Sequence, residues 1–399
     1  MHRILVDEKR WIDEPRFLHA LNYCMLLPGP EAQQLATYVG WTLHGIRGGL
    51  VAGTLFVLPG MLAMLALSFG YVLWHRQPLV EGLFLGLKAA VVALVLDASL
   101  RIAGRALQSP LPRTMALAAF LAIALFHVPF PLVVAAAAII GFVAARGEPS
   151  PPAVHASTPA PPIGRAVKLL ALWLPLWFAP VLLAAALAGS TSVYTSLGVF
   201  FSKMAVVTFG GAYAALAYVA QQAVGHFGWL TPAQMVDGLA LAESTPGPLI
   251  LVLQFVGFLA AYQNAGSGTP WLAGVLGALL TVWVTFVPCF LWIFLGAPYV
   301  ERLRGHRAWA GALSAITAAV VGVIASLALW FALHVLFADV RPTSIAGPVI
   351  LELPTLSSLR VMPALITAVA LVMMLALKRG LGLTLTTCAV LGVLARLAY

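Results

Sequence analysis

Apolar residues fill this chain in long blocks, and polar residues are confined to short stretches between them. Met115–Val143, Ala166–Gly189, Ala308–Leu336 and Val361–Leu377 are long enough, or nearly so, to cross the roughly 30 Å hydrocarbon core of a bilayer as helices. In the first part of the chain the pattern predicts a short membrane-entering segment at Phe17–Leu27 and helices at Pro30–Trp41, Leu50–Trp74 and Gly82–Leu100. Met115–Val143 reads as one long helix or as two short ones turning at His127–Pro131. The second part predicts Lys168–Ala188, Tyr194–Val224 with a glycine break, Met235–Glu243, Pro248–Tyr262 and Trp271–Ile293. Ala308–Leu336, long enough for two short spans, Arg360–Leu377 and Leu381–Leu394 complete the set. The expected fold class is an all-α polytopic membrane protein with about 10–13 transmembrane segments.

Composition agrees. Of 399 residues, 62% are hydrophobic and 9% charged, against about 25% charged in a soluble domain. The net charge of +9 does not point to nucleic acid, because the basic residues sit in short connections, as at Arg101, Arg105 and Arg113 or Arg302, Arg304 and Arg307. That placement fits topology determination and contact with lipid headgroups. Cys24, Cys289 and Cys388 are scattered through apolar sequence, with neither metal-site nor disulfide spacing, and read as small buried hydrophobes. The N-terminal MHRILVDEKRWIDEPRF mixes acids and bases without an apolar core, so it reads as an interfacial segment and not a signal peptide. Trp41, Trp74, Trp173, Trp177, Trp229, Trp271 and Trp309 fall near predicted span ends, as in an interfacial belt. No Walker motif, Rossmann glycine signature, paired-Cys metal site or HExxH is present. The expectation is a protein that is not an enzyme, with no cofactor and no metal.

Two segments echo each other. WIDEPRFLHALNYCMLLPGP spans Trp11–Pro30 and WLTPAQMVDGLALAESTPGP spans Trp229–Pro248, a constant offset of 218. Each runs on into a Gly-containing apolar stretch and then a proline, Pro59 or Pro288. Between the copies, RGEPSPPAVHASTPAPPIG at Arg146–Gly164 reads as an extended linker outside the membrane. The predicted organisation is a first repeat at 1–145, a linker at 146–164 and a second repeat at 165–399. The second repeat holds Tyr194–Gly228 ahead of its Trp, and the first has no counterpart: a late start, a truncation or a true difference between the halves would each account for it, and the favoured expectation is a late start that costs the first repeat its first helix. A duplicated membrane unit with interrupted helices is the usual build of a secondary transporter.

The interruptions carry the candidate chemistry. In Pro28-Gly29-Pro30 and Pro246-Gly247-Pro248 the prolines remove backbone donors and push the preceding residues out of the α region. Each motif predicts a helix end, an unwound centre and a new helix whose free N–H groups are able to hold an anion; the plainer reading is a pair of structural kinks. Thr208-Phe209-Gly210-Gly211 predicts a further break. Glu31 follows the first motif with Gln34 in its next turn; Glu243, Ser244 and Thr245 precede the second, and Gln254 lies beyond it. Glu31 and Glu243 occupy non-equivalent repeat positions, and each is either a proton carrier or a partner of Lys203, Arg47 or Lys88. For Glu31 the plainer role is an acid favoured by the start of a helix. Lys203, just before the glycine break, is the expected cation of an anion path, unless it snorkels. Asp97, Lys88 and Glu81 read as a local charge group near a membrane boundary.

FLHALNYCMLLPGPEAQQLATYVGW at Phe17–Trp41, GGLVAGTLFVLPG at Gly48–Gly60, TFGGAYAAL at Thr208–Leu216 and LALAESTPGP at Leu239–Pro248 together resemble the chromate ion transporter family, in its long two-domain form. The resemblance spans essentially the whole chain. It implies two homologous halves, a multi-pass protein of the bacterial inner membrane, and efflux of chromate, with sulfate as the competing dianion. Members of the family begin with a membrane helix carrying a first Phe-Gly-Gly-Pro; here Met1 falls after it, and Ala212 stands where that motif has proline. The substrate path expected is Pro28, Gly29, Pro30, Glu31, Gln34, Lys203, Gly210, Gly211, Glu243, Ser244, Thr245, Pro246, Gly247, Pro248 and Gln254. Its partners would be chromate or sulfate, the lipid bilayer, protons through Glu31 or Glu243, and no nucleic acid. A homodimer, a carrier or channel for another oxyanion, and a scaffold that transports nothing are left open.

Overall fold

The computed structural model describes residues 1–146, 163–209, 211–245, 247–266, 268–296, 307–346 and 349–398. After a π-helical turn at Arg3–Glu8 come α1 (Glu14–Leu26), α2 (Glu31–Trp74), α3 (Pro78–Ala106), α4 (Pro110–Ala124), α5 (Phe130–Ala145), α6 (Ile163–Ala188) and α7 (Val193–Val207). They continue as α8 (Ala212–Ala220), α9 (Pro232–Ser244), α10 (Val252–Gln263), α11 (Pro270–Gly296), α12 (Arg307–Leu336), α13 (Val361–Leu371) and α14 (Leu381–Ala398). Among the described residues six helices, α2, α3, α6, α11, α12 and α14, are long and apolar enough to cross a membrane, and five shorter apolar helices accompany them. The chain is an all-α polytopic membrane protein.

The breaks have local causes. Met115–Val143 resolves into α4 and α5: His127 adopts the left-handed region (φ 51°), and Pro129 and Pro131 remove donors on the far side of the turn. Ala308–Leu336 contains no proline and stays one helix. Within α2 the helix is interrupted at His44 and Gly45, where Gly45 takes φ 61°, so the two helices predicted there fold back on each other. Gly40 and Gly48 face each other across this turn so closely that a side-chain carbon on either would overlap the other's carbonyl. α10 and α11 repeat the arrangement, with Gly257 against Gly277 and Thr281. Small residues allow this approach where apolar lipid offers no hydrophobic drive to pack helices. Pro59 and Pro288 sit inside continuous helices, α2 and α11.

α3 and α11 run through the middle of the bundle. α3 packs against α9, α12, α13 and α14, and α11 against α2, α6, α7 and α10. Three tryptophans expected in an interfacial belt are instead buried: Trp173, Trp177 and Trp229. Trp173 stacks on Phe290 and leans on Phe294 of α11, because aromatic surface fills the gap beside a proline-bearing helix. All three cysteines are buried and free. One feature has no forecast in the hydrophobic pattern: β1 (Val340–Ala346) and β2 (Val349–Pro354) form an antiparallel hairpin after α12, pairing Val340 with Pro354 and Thr343 with Leu351. Most of the proposed 146–164 linker lies outside the described residues.

Candidate functional site

Each Pro-Gly-Pro separates two helices. α1 ends at Leu26, Leu27 is extended, and α2 starts with Pro30 as its N-cap. α9 ends at Ser244, Thr245 is extended, and a 3₁₀ turn at Leu249–Leu251, capped by Pro248, leads into α10. Gly29 (φ 110°) and Gly247 (φ 143°) hold backbone conformations that strain any residue with a side chain. Pro28 lies in the first of these turns; Pro246 lies outside the described residues, as does Gly210.

The two turns are bound crosswise. A methyl added at Gly29 would come 3.0 Å from Cys289 Sγ, the residue after Pro288 in α11. A methyl added at Gly247 would come 3.2 Å from Cα of Gly60, the residue after Pro59 in α2. Each break therefore rests on the proline step of the other part of the chain. The third break joins them: the Gly29 N–H donates to the Thr208 carbonyl at 2.9 Å, at the end of α7. Gly211 (φ 94°) then starts α8.

The three breaks surround a void of about 10 Å³, lined by Gly29, Pro30, Thr208, Gly211, Ile250 and Thr285 among others, room for about one water. Around it the helical segments starting at Glu31, Leu249 and Ala212 all begin without a side-chain cap. Their first N–H groups carry the positive end of the helix dipole. Thr208 and Thr285 add hydroxyls, each now donating to a carbonyl one turn back, Met204 and Thr281.

The other expected path residues divide. Gln34 is fully buried, and its Nε2 donates to the Pro28 carbonyl at 2.7 Å. Gln254 is equally buried, and its Nε2 donates to the Met61 carbonyl at 3.0 Å, tying α10 to α2. Both leave a buried Oε1 without a partner, as does Gln33, a pattern found where polar groups serve function more than stability. Glu31 opens α2, the position a helix dipole favours for an acid. Ser244 and Thr245 donate to the Leu241 and Ala242 carbonyls of their own helix, so neither hydroxyl hydrogen is free in this state. Lys203 is not brought to the group. It is exposed, while Met204, Ala205 and Thr208 of the same stretch line the void; at 100° per residue Lys203 falls on the far side of α7 from Ala205. Arg47 is also exposed.

The acids find other partners. Glu243 Oε1 accepts a 2.7 Å hydrogen bond from Tyr213, two residues past Gly211. On α3, Asp97 pairs with Arg101 at 2.9 Å. Further along α9, Asp237 pairs with Lys88 of α3 at 3.0 Å and accepts from the Tyr71 hydroxyl at 3.0 Å. The local group of Asp97, Lys88 and Glu81 does not form; Glu81 bonds Arg396 of α14 at 2.9 Å. The sequence reading missed Asp237, Tyr71, Tyr213 and Thr285. For Thr285 a signal existed, since Thr281, Thr285 and Cys289 recur every four residues along an otherwise apolar helix. A larger cavity of about 360 Å³ lies elsewhere, between α4, α8, α12 and β2. Its wall is mostly apolar and includes the Glu352 carboxylate, so it offers an anion little.

A helical membrane protein whose breaks at proline and glycine meet around one small void has the build of a transporter. The chain belongs to the chromate transporter family, whose sequence pattern it matches over residues 1–142 and 195–393. It is 33% identical to the chromate transport protein of Pseudomonas aeruginosa over 81% of this chain and 73% of that one. It is 29% identical to the chromate transport protein of Cupriavidus metallidurans over 81% and 74%, and 27% identical to a probable chromate transport protein of Synechococcus elongatus over 82% and 76%. No solved structure matches it.

Proposed function

We propose that this chain is a secondary carrier that exports chromate across the bacterial inner membrane. The observation that carries the reading is the meeting of three uncapped helix starts, at Glu31, Ala212 and Leu249, around one void. Such ends attract an anion without a permanent counter-charge. The path would be lined by Gly29, Pro30, Gln34, Gly211, Gly247 and Gln254, with Thr208 and Thr285 turning their hydroxyls inward. The relatives named for chromate transport support chromate as the ion. Sulfate, of the same charge and shape, is the competing substrate, and Glu31 or Glu243 would link the cycle to protons.

The void holds about one water, so the centre is closed here and the anion enters only when the packed parts separate. The crosswise contacts Gly29–Cys289 and Gly247–Gly60 favour two repeats, 1–145 and 165–399, moving against each other in the manner of alternating access. An inside-negative potential drives anion exit by about 2.3 kcal/mol per charge per 100 mV.

The test is uptake of chromate by everted inner-membrane vesicles bearing the full chain, with sulfate as competitor. Uptake above control vesicles, energised by the potential and blocked by excess sulfate, is the expected result. Uptake of sulfate without chromate would reassign the substrate, and neither ion entering would overturn the reading.

A further inference from the structure

The centre just described contains no Lys or Arg, yet a dianion crossing a low-dielectric bundle gains strongly from one. Among the residues whose side chains are described, Lys88 is the only Lys or Arg that is not exposed. Among the same residues, Asp237 is the only Asp or Glu in the buried class. These two meet at 3.0 Å, Lys88 from α3 and Asp237 from α9. Lys88 stands ten residues inside α3, about 15 Å from its start, roughly half the thickness of a bilayer core. Its side chain keeps 26% exposure against 8% for Asp237, so Lys88 is the less enclosed partner of the pair. Tyr71 holds the second carboxylate oxygen at 3.0 Å, and His75 stacks on the Tyr71 ring at 5.0 Å.

A buried ion pair is a poor way to stabilise a fold, since desolvation offsets its attraction. In a membrane interior such groups mark ion paths. From Asp237, α9 runs about 9 Å to Glu243 and then into the second Pro-Gly-Pro, so the pair stands on the helix that leads to the central void.

We propose that Lys88 is the cation that meets the transported dianion, and that Asp237 is its resident counter-ion, displaced from the amine as the anion arrives and neutralised by a proton. The proposal rests on the oxyanion-transport reading and assigns its charge to a residue pair outside the void. Tyr71 keeps Asp237 in place when the amine turns to the anion. Lys88 on α3 and Tyr71 and His75 on α2 are the titratable groups facing Asp237, and α10 and α12, also packed on α9, present none to it among the described residues.

Four forms of the full chain separate this role from a structural one: wild type, Lys88→Gln, Asp237→Asn and the double variant K88Q/D237N. Each is measured by chromate uptake in everted vesicles and by thermal stabilisation with sulfate in detergent. Lys88→Gln is expected to lose uptake by about ten- to hundredfold, the worth of a charged hydrogen bond. Asp237→Asn shifts uptake to a lower KM, with stabilisation at lower sulfate and a flattened pH dependence. The double variant, freed of an unpaired charge, melts like the wild type yet still fails to transport and gains no stability from sulfate. A double variant that transports like the wild type would overturn the proposal, because the pair would then be structural. Asp237→Asn losing uptake and sulfate stabilisation as Lys88→Gln does would overturn it too. If the wild type takes up neither ion but Lys88→Gln abolishes stabilisation by sulfate, the transport reading falls and the Lys88 site stands.

Discussion

The central void and the α3–α9 interface handle charge in opposite ways. Around the void there is no cation; partial charges from three helix starts converge, fixed by the fold and needing no partner. At the interface, whole charges and phenols meet: Lys88, Asp237 and Tyr71, then Glu243 and Tyr213. Twice along α9 an acid takes a hydroxyl from a tyrosine of another helix, and at Asp237 a cation of α3, Lys88, completes the group. The contrast teaches that two tasks of an anion carrier are separable. Dipoles hold a dianion weakly enough to release it, while a paired lysine offers full charge only when its counter-ion moves aside.

The largest expected effect breaks the first of these regions. Gly29→Leu and Gly247→Leu each force a side chain into a left-handed backbone, a strain of about 1–3 kcal/mol, and press it against Cys289 or Gly60. Chromate uptake should fall by about a hundredfold in either, near the 1–3 kcal/mol scale of the strain, while membrane insertion, read by protease protection of vesicles, stays normal. Uptake within about twofold of wild type would show that the breaks do not form the path. The prolines and glycines behind this prediction were legible in the sequence, because they act through the backbone wherever they occur. That the breaks interlock crosswise was not, since Gly29 and Cys289 are brought together only by the packing of α1 and α11.

A middle-sized effect sharpens the comparison within the interface. Tyr213→Phe and Tyr71→Phe each remove one donor from a carboxylate, a loss of about 1–3 kcal/mol of stability for a buried charged acceptor. Because Tyr71 holds the counter-ion of Lys88 while Tyr213 holds Glu243 beside the glycine break, Tyr71→Phe should alter the KM for chromate more than Tyr213→Phe, and both should lower the melting temperature. Equal effects on both quantities would erase the distinction between the two rungs.

The smallest effect concerns Lys203. Its nearness in sequence to the glycine break made it the natural cation, but the helix turns it outward. Lys203→Ala should leave uptake within about twofold, as for an exposed charge whose interactions are worth about 1 kcal/mol or less. A tenfold loss would return it to the path and weaken the case for Lys88.

The apolar blocks, the near-absence of charge and the paired Pro-Gly-Pro motifs determined by themselves that the chain is a helical membrane protein with broken helices, because desolvating backbone and rotating proline are local penalties a sequence states outright. They bounded one turn between Trp41 and Leu50 and offered the other, at His127–Pro131, as one of two readings; the structure puts the first at His44–Gly45 and makes the second a break. The tertiary structure alone decided which helix faces the void, which cation stays buried and which acid it meets. Lys88 and Asp237 are far apart in the chain, and nothing local distinguishes Lys88 from the exposed Lys203; only the packing of α3 against α9 half-buries one against an acid and leaves the other outside.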